Sequence, residues 1–142
     1  MGRTGNDLHY RGYDILEFAE EAEFEEVAYL LVHEKLPTKA ELAAYKKKLQ
    51  GLRGLPGPLK AALEQLPKNA HPMDVMRTGC SVLGTLEQEA ESHPIEGARN
   101  IADRLMGCFG SMLLYWHHFA NSGKRIETVT DDDSIEIGRA HV

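Results

Sequence analysis

Seven histidines and two cysteines are the side chains of this 142-residue chain best suited to holding a metal ion, and their spacing builds no site. His117 and His118 are adjacent. On a helix they point about 100° apart, whereas paired helical ligands stand a full turn apart. Neither His-Glu-x-x-His nor Cys-x-x-Cys occurs. His9, His33, His71 and His93 read as caps or half-buried packing residues; His71, directly before Pro72, suits a helix cap or the wall of a cleft. The glycines between Gly51 and Gly57 lack the Lys-Ser/Thr that completes a phosphate loop, and read as a helix stop and turn. Asp131-Asp132-Asp133 lacks the Gly and terminal Glu of a calcium loop, which leaves a solvated turn. Ser81, Ser92, Ser111 and Ser134 have no nucleophile-elbow context. Cys80 and Cys108 lie in apolar helical stretches and read as small buried hydrophobes rather than a disulfide or a metal site.

One cluster keeps a chemical reading: His9-Tyr10-Arg11-Gly12-Tyr13-Asp14. An arginine flanked by aromatics and followed by glycine can present its guanidinium to a phosphate or carboxylate while the turn brings backbone close. The alternative is that Arg11 pairs with a carboxylate of a neighbouring helix.

The elements that must position these residues are helical throughout. No run alternates apolar and polar residues between turns, so no strand is predicted. Asp14 caps a short helix carrying Ile15, Leu16, Phe18 and Ala19; a second helix runs from Phe24 to about His33, broken by Lys35-Leu36-Pro37. Thr38 and Glu41 form a capping box. The helix it opens places Leu42, Tyr45 and Leu49 on one face and ends at Gly54-Leu55-Pro56-Gly57. Pro58 starts a brief helix to Leu66, and Pro72 opens another with Met73, Met76, Cys80 and Leu83 along it. The longest helix is predicted from Pro94 to Ala120, roughly 40 Å, with Gly123 as its stop. Its small residues Gly107, Cys108, Gly110 and Ser111 suggest a close-packed groove, and its wide apolar face exceeds what a chain this short can cover, which points to a subunit interface.

Composition narrows the function classes. With 16 basic and 22 acidic side chains the formal net charge is −6, which disfavours a nucleic-acid or anionic-membrane partner. Hydrophobic residues at 42% and charged residues at 27% are ordinary globular usage. No apolar run approaches the roughly 20 residues that span a bilayer. Residues 1–7 lack the apolar core of a signal peptide, so a cytoplasmic location is expected. Residues 136–142, Glu-Ile-Gly-Arg-Ala-His-Val, follow Ile135 without helix or turn logic. They translate the words GAG ATC GGA AGA GCA CAC GTC, which resemble a sequencing adapter, and are expected to be a non-native tail; an ordinary disordered terminus is the other reading.

Longer strings carry a resemblance. Gly5 through Ile15, Phe24-Glu25-Glu26-Val27-Ala28, Lys35-Leu36-Pro37-Thr38, Glu41 through Lys46, Leu52-Arg53-Gly54-Leu55-Pro56 and His71 through Gly79 resemble the citrate synthase family. So do Gly97 through Asp103 and Thr130 through Ile135. The Arg-Gly-Tyr and His-Pro-Met pieces are shared across the family, and the longer strings favour its methylcitrate branch. The resemblance implies an all-α fold, with residues 1–135 the N-terminal, incomplete part of the large helical domain of a homodimer. It implies condensation of an acyl-CoA with oxaloacetate: propionyl-CoA giving 2-methylcitrate, or acetyl-CoA giving citrate. The coenzyme A thioester is then a substrate, and no separate cofactor is implied. In the family one His and an Asp enolise the thioester and another His polarises the ketone. All three lie beyond the matched positions, so no catalytic residue is assigned here and the chain is expected to be inactive alone. Arg11 matches a position that contacts an anion such as the CoA phosphate. Met73, Met76, Cys80, Leu83, Gly107, Cys108, Gly110 and Ser111 fall on the helices that build the family's dimer. A citrate synthase proper, or a helical dimerisation module without chemistry, are the alternatives.

Overall fold

The computed structural model describes residues 8–18, 21–87, 94–132 and 134. The expectations for residues 1–7, Ala19, Ser92, His93, Asp133, Ile135 and the tail 136–142 lie outside them. The chain divides into two compact units, Met1–Lys47 and Lys48–Val142.

The first unit opens with a hairpin that the sequence reading did not contain. Strands β1 (His9–Tyr10) and β2 (Tyr13–Asp14) pair antiparallel, His9 opposite Asp14 and Tyr10 opposite Tyr13. Two residues per strand are too few for any alternation to show. The signal was in the turn: Arg11 at φ 52° and Gly12 at φ 93° are both left-handed, as a two-residue primed hairpin turn requires. The Ile15 amide donates to Leu8 O at 3.0 Å and closes the hairpin. Helix α1 (Ile15–Phe18) then begins, with the Leu16 amide donating to Asp14 Oδ1 at 3.0 Å, the cap expected of Asp14.

Helix α2 spans Phe24–His33 and buries Glu25, Ala28, Tyr29 and Leu30. It ends on Glu34 in the left-handed region at φ 67°, whose amide donates to Leu30 O. The Thr38–Glu41 capping box forms as read from the sequence. The Thr38 amide donates to Glu41 Oε2 at 2.8 Å and the Glu41 amide to Thr38 Oγ1 at 3.3 Å. It starts α3 (Lys39–Gly51). Tyr29 stacks on His33 with ring centroids 4.2 Å apart, and Tyr45 meets both rings edge-on.

The second unit packs α4 (Gly57–Glu64), α5 (Pro72–Leu86) and α6 (Ile95–Ser122) around one core. Leu55, Leu59, Leu63, Val75, Leu83, Cys108, Met112, Tyr115 and Trp116 form it. Helix α3 stops at Gly51, earlier than the expected 54–57, because Leu52 and Arg53 tighten into three-residue turns onto Leu49 and Gln50. Helix α4 starts one residue before Pro58 and stops at Glu64, short of Leu66, by the same kind of turn.

Helix α6 is 28 residues long, about 42 Å. Gly123 at φ 69° ends it by donating to Phe119 O at 2.7 Å. Two glycines set the approach of its neighbours. A Cβ on Gly79 of α5 would lie 2.7 Å from Met112 Sδ, and one on Gly107 of α6 would lie 2.7 Å from Leu52 Cβ and 3.2 Å from its backbone. After α6, residues 123–132 run without regular structure.

Candidate functional site

Arg11 sits at the tip of the β1–β2 hairpin, its side chain 46% exposed. The guanidinium lies 2.9 Å from Glu34 Oε1 and donates to Leu31 O at 3.2 Å. The partner is thus the carboxylate at the end of a neighbouring helix, one of the two roles the sequence left open. Arg11 also covers an orphan carbonyl in the last turn of α2, where a cation is favoured by the helix dipole. Among the described residues the two non-glycine residues with positive φ, Arg11 and Glu34, are this ion pair.

His71 is a helix cap. It stands at the N-cap of α5 in extended conformation, and the Met73 amide donates to its Nδ1 at 3.2 Å. His117 and His118 lie with ring planes at 88° and centroids 5.8 Å apart. The Asn121 amide group reaches His117 Nδ1 at 3.3 Å and donates to His117 O at 2.8 Å. Among the described residues no group of three or more His, Cys, Asp or Glu is close enough to hold a metal ion. Burial pushes the Cys80 thiol up and the Cys108 thiol up to about 11, which keeps both protonated and poor nucleophiles.

The residues expected at a subunit interface separate into two groups. Leu83, Cys108 and Ser111 are already enclosed within the chain, as is Gly107, packed on Leu52. Gly107, Cys108 and Ser111 of α6 therefore make close contacts inside this chain. Met73, 65% exposed, and the half-buried Met76, Cys80 and Gly110 retain surface. The stripe of α5 buried within the chain is Val75, Gly79 and Leu83. A cavity of about 170 Å³ opens between α5 and α6, walled by Cys80, Leu83, Gly84, Ile101 and Leu105, with the Arg104–Glu87 pair beside it.

Sequence reasoning missed the polar groups that organise the second unit. Arg104 donates from Nε to Glu87 at 2.8 Å and from one terminal nitrogen to Leu52 O and Gly54 O at 2.7 and 3.0 Å. Lys48 donates to the fully buried Asp103 at 2.6 Å and to Asn100 at 3.0 Å. Glu64 accepts from Arg125 through both oxygens and from the Tyr115 hydroxyl at 2.7 Å, and the Arg125 and Tyr115 bonds hold its pKa down to about 2. Arg53, 2% exposed, donates to Thr130 O and Oγ1, Asp132 O and Ser134 O. Arg104 and Glu87 are 17 residues apart and the other partners 50 to 81, beyond any local signal; only the cations interrupting apolar stretches could have drawn attention to them. Among the described residues no helix is long and apolar enough to cross a membrane.

The comparisons with known proteins agree with one another. A family model described as "Citrate synthase, C-terminal domain" matches residues 1–137. The 2-methylcitrate synthase of Shewanella oneidensis is 56% identical over 142 residues, all of this chain and 37% of that protein. The citrate synthase of Deinococcus radiodurans is 37% identical over 106 residues, 75% of this chain and 28% of its own length. Among solved structures, citrate synthase from Thermotoga maritima has TM-score 0.72 and 35% identity over 87% of this chain and 31% of that one. A Thermoplasma acidophilum citrate synthase, solved with carboxymethyl coenzyme A and oxaloacetate, has TM-score 0.81 at 23% identity, covering 95% of this chain and 35% of that one, a likeness of fold. The chain spans about a third of the length of the relatives it matches.

Proposed function

Because this chain belongs to the citrate synthase family, we propose that it is part of an acyltransferase that condenses propionyl-CoA with oxaloacetate to give 2-methylcitrate. The observation that carries the reading is the 56% identity to a 2-methylcitrate synthase along the whole chain. The role of these residues is structural: they supply helices on which a longer enzyme positions its reacting groups. The histidines support this assignment. His71 caps α5, His117 is bonded to Asn121 and His33 is stacked on Tyr29. The 142-residue chain alone is therefore proposed to be inactive.

The surface left on α5 and α6 at Met73, Met76, Cys80 and Gly110 is proposed to meet a second copy in the longer enzyme. Arg11 is proposed to contact a CoA phosphate there, with the anion sharing a guanidinium already held by Glu34 and Leu31 O.

A citrate synthase with acetyl-CoA as substrate is the second reading. It is favoured by citrate synthases matching at 37% and 40%, the range in which other 2-methylcitrate synthases match, 36–42%. Thiol release by the full-length protein, with oxaloacetate and each acyl-CoA, tests both readings. A higher kcat/KM for propionyl-CoA is the expected result, and a preference for acetyl-CoA gives the second reading. CoA release by the purified 142-residue chain above the uncatalysed rate would overturn its assignment as inactive.

A further inference from the structure

The second unit contains a contact whose form does not follow from family membership. Residues 123–132 leave α6 without regular structure and return to the loop between α3 and α4. Apolar burial holds only the start of this segment: Ile126 packs on the core, whereas Val129 is 52% exposed and Asp131 is exposed. From Thr128 onward the attachment is polar, and most of it comes from one side chain. One terminal nitrogen of Arg53 donates to Thr130 O at 2.9 Å and to Thr130 Oγ1 at 2.7 Å. The other donates to Asp132 O at 2.8 Å and Ser134 O at 3.1 Å.

Gln50 adds a bond to Asp132 O at 2.8 Å, and the Thr128 hydroxyl donates back to Arg53 O at 3.2 Å. Among the described residues the Arg53 guanidinium bonds only to neutral oxygens. It is nonetheless 2% exposed. A buried cation that meets carbonyl dipoles rather than a carboxylate is held by geometry, since each acceptor must sit where the planar fork points.

We infer that Arg53 is a clamp on the main chain, and that residues 128–132 with Ser134 form a strap whose docked position depends on that one side chain. Three of the four acceptors are backbone carbonyls at alternate residues, 130, 132 and 134. One guanidinium reaches all three, so these carbonyls converge on the fork far more closely than the rise of an extended chain would place them. The clamp therefore fixes the path of the strap and tolerates change in its side chains. Lysine cannot replace it, because a single ammonium has no planar fork to span three successive acceptors. The inference goes beyond the proposed activity and does not depend on it.

The test is backbone NMR relaxation on the 142-residue chain, comparing wild type with Arg53→Lys, Arg53→Met and Thr130→Val. In wild type, residues 128–132 and Ser134 should have order parameters near the rigid value of about 0.85, and both Arg53 variants should bring them below about 0.6. The amides of α4, α5 and α6 should keep their dispersed shifts. Thr130→Val removes a hydroxyl acceptor and leaves every carbonyl, so its strap should stay rigid. Three outcomes would overturn the inference: a strap as rigid in both Arg53 variants as in wild type, release by Thr130→Val alone, or loss of the α4–α6 signals together with those of the strap.

Discussion

Glu41 and Glu64 are both held at a pKa of about 2 against a usual 4.5, by different geometries. Lys35 and the Thr38 amide and hydroxyl hold Glu41 within one capping turn; Arg125 and Tyr115 hold Glu64 across the second unit. Each carboxylate stays ionised in the folded chain well below the pH at which the unfolded chain takes up its proton. The stability they contribute is complete above about pH 4.5 and is lost as pH falls towards 2. The two cations are similarly exposed, Lys35 61% and Arg125 67%, but the Glu41 side chain is 34% exposed and the Glu64 side chain 14%, so solvent screens the Glu64 carboxylate less. Glu64→Gln should therefore lower the melting temperature at pH 6 and flatten its fall between pH 5 and pH 2.5, more than Glu41→Gln does. Melts with the same acid slope in wild type and Glu64→Gln would contradict this. The same pair marks what was legible at this scale. The Thr38–Glu41 box was readable because both ends of its bonds lie three residues apart. Glu64 and Arg125 are 61 residues apart, and their meeting is decided by how α4 packs beside the chain that leaves α6. Arg53 escaped notice for the same reason: in sequence it is one more residue of a helix stop.

Helix starts followed from caps and prolines to within a residue, whereas the face that α5 turns into this chain's own core did not. Met73, Met76, Cys80 and Leu83 and the observed Val75, Gly79 and Leu83 are both spaced for a helical face. The second faces this chain's core because Met112 of α6 fills the space that Gly79 leaves, and glycine contributes nothing to an apolar count. Glycine substitutions therefore separate by element. Gly84 lies inside α5, and a Cβ there would meet nothing within 4 Å. Gly84→Ala should raise stability by up to ~1 kcal/mol, the helix-propensity difference. Gly107 packs against Leu52, including its backbone, so Gly107→Ala should lower stability by about 1–3 kcal/mol. Urea titrations of the two variants decide this, and shifts of the same sign would mean that the packing is misread. The hairpin gives a third case. Gly12 has open space but sits at φ 93°. Gly12→Ala should cost about 1–2 kcal/mol through backbone strain alone, and the cross-strand contacts between Tyr10 and Tyr13, read by NMR, should weaken. Unchanged contacts would show that the turn accommodates a side chain.

The whole molecule combines a well-filled core with apolar surface that its own residues leave uncovered. In the second unit, Leu59, Leu63, Val75, Cys108 and Met112 are fully buried. The first unit buries Ala28, Tyr29, Leu30 and Tyr45, yet leaves Leu8, Tyr13, Leu16, Phe24, Leu31 and Leu36 between 38% and 75% exposed. Among the described residues, Met73 at 65% and Ile95 at 73% are the most exposed large apolar side chains of the second unit. Isolated exposed apolar residues are ordinary on any protein, but six within residues 8–36 are more than a single small unit usually presents to water. The chain covers about a third of its relatives' length, and surface of this kind is what further chain or a second copy would cover. The 142-residue chain should then self-associate, and should bind a dye such as ANS while its α4–α6 amides remain the slowest to exchange. The formal charge of −6 opposes association through long-range repulsion, so raising the salt concentration should increase the associated fraction in sedimentation velocity. Substituting Leu16→Glu and Ile95→Glu, at the two most exposed large apolar positions among the described residues, should reduce association without lowering the melting temperature. A monodisperse monomer at high salt, with no ANS signal, would show that these side chains are ordinary solvated surface.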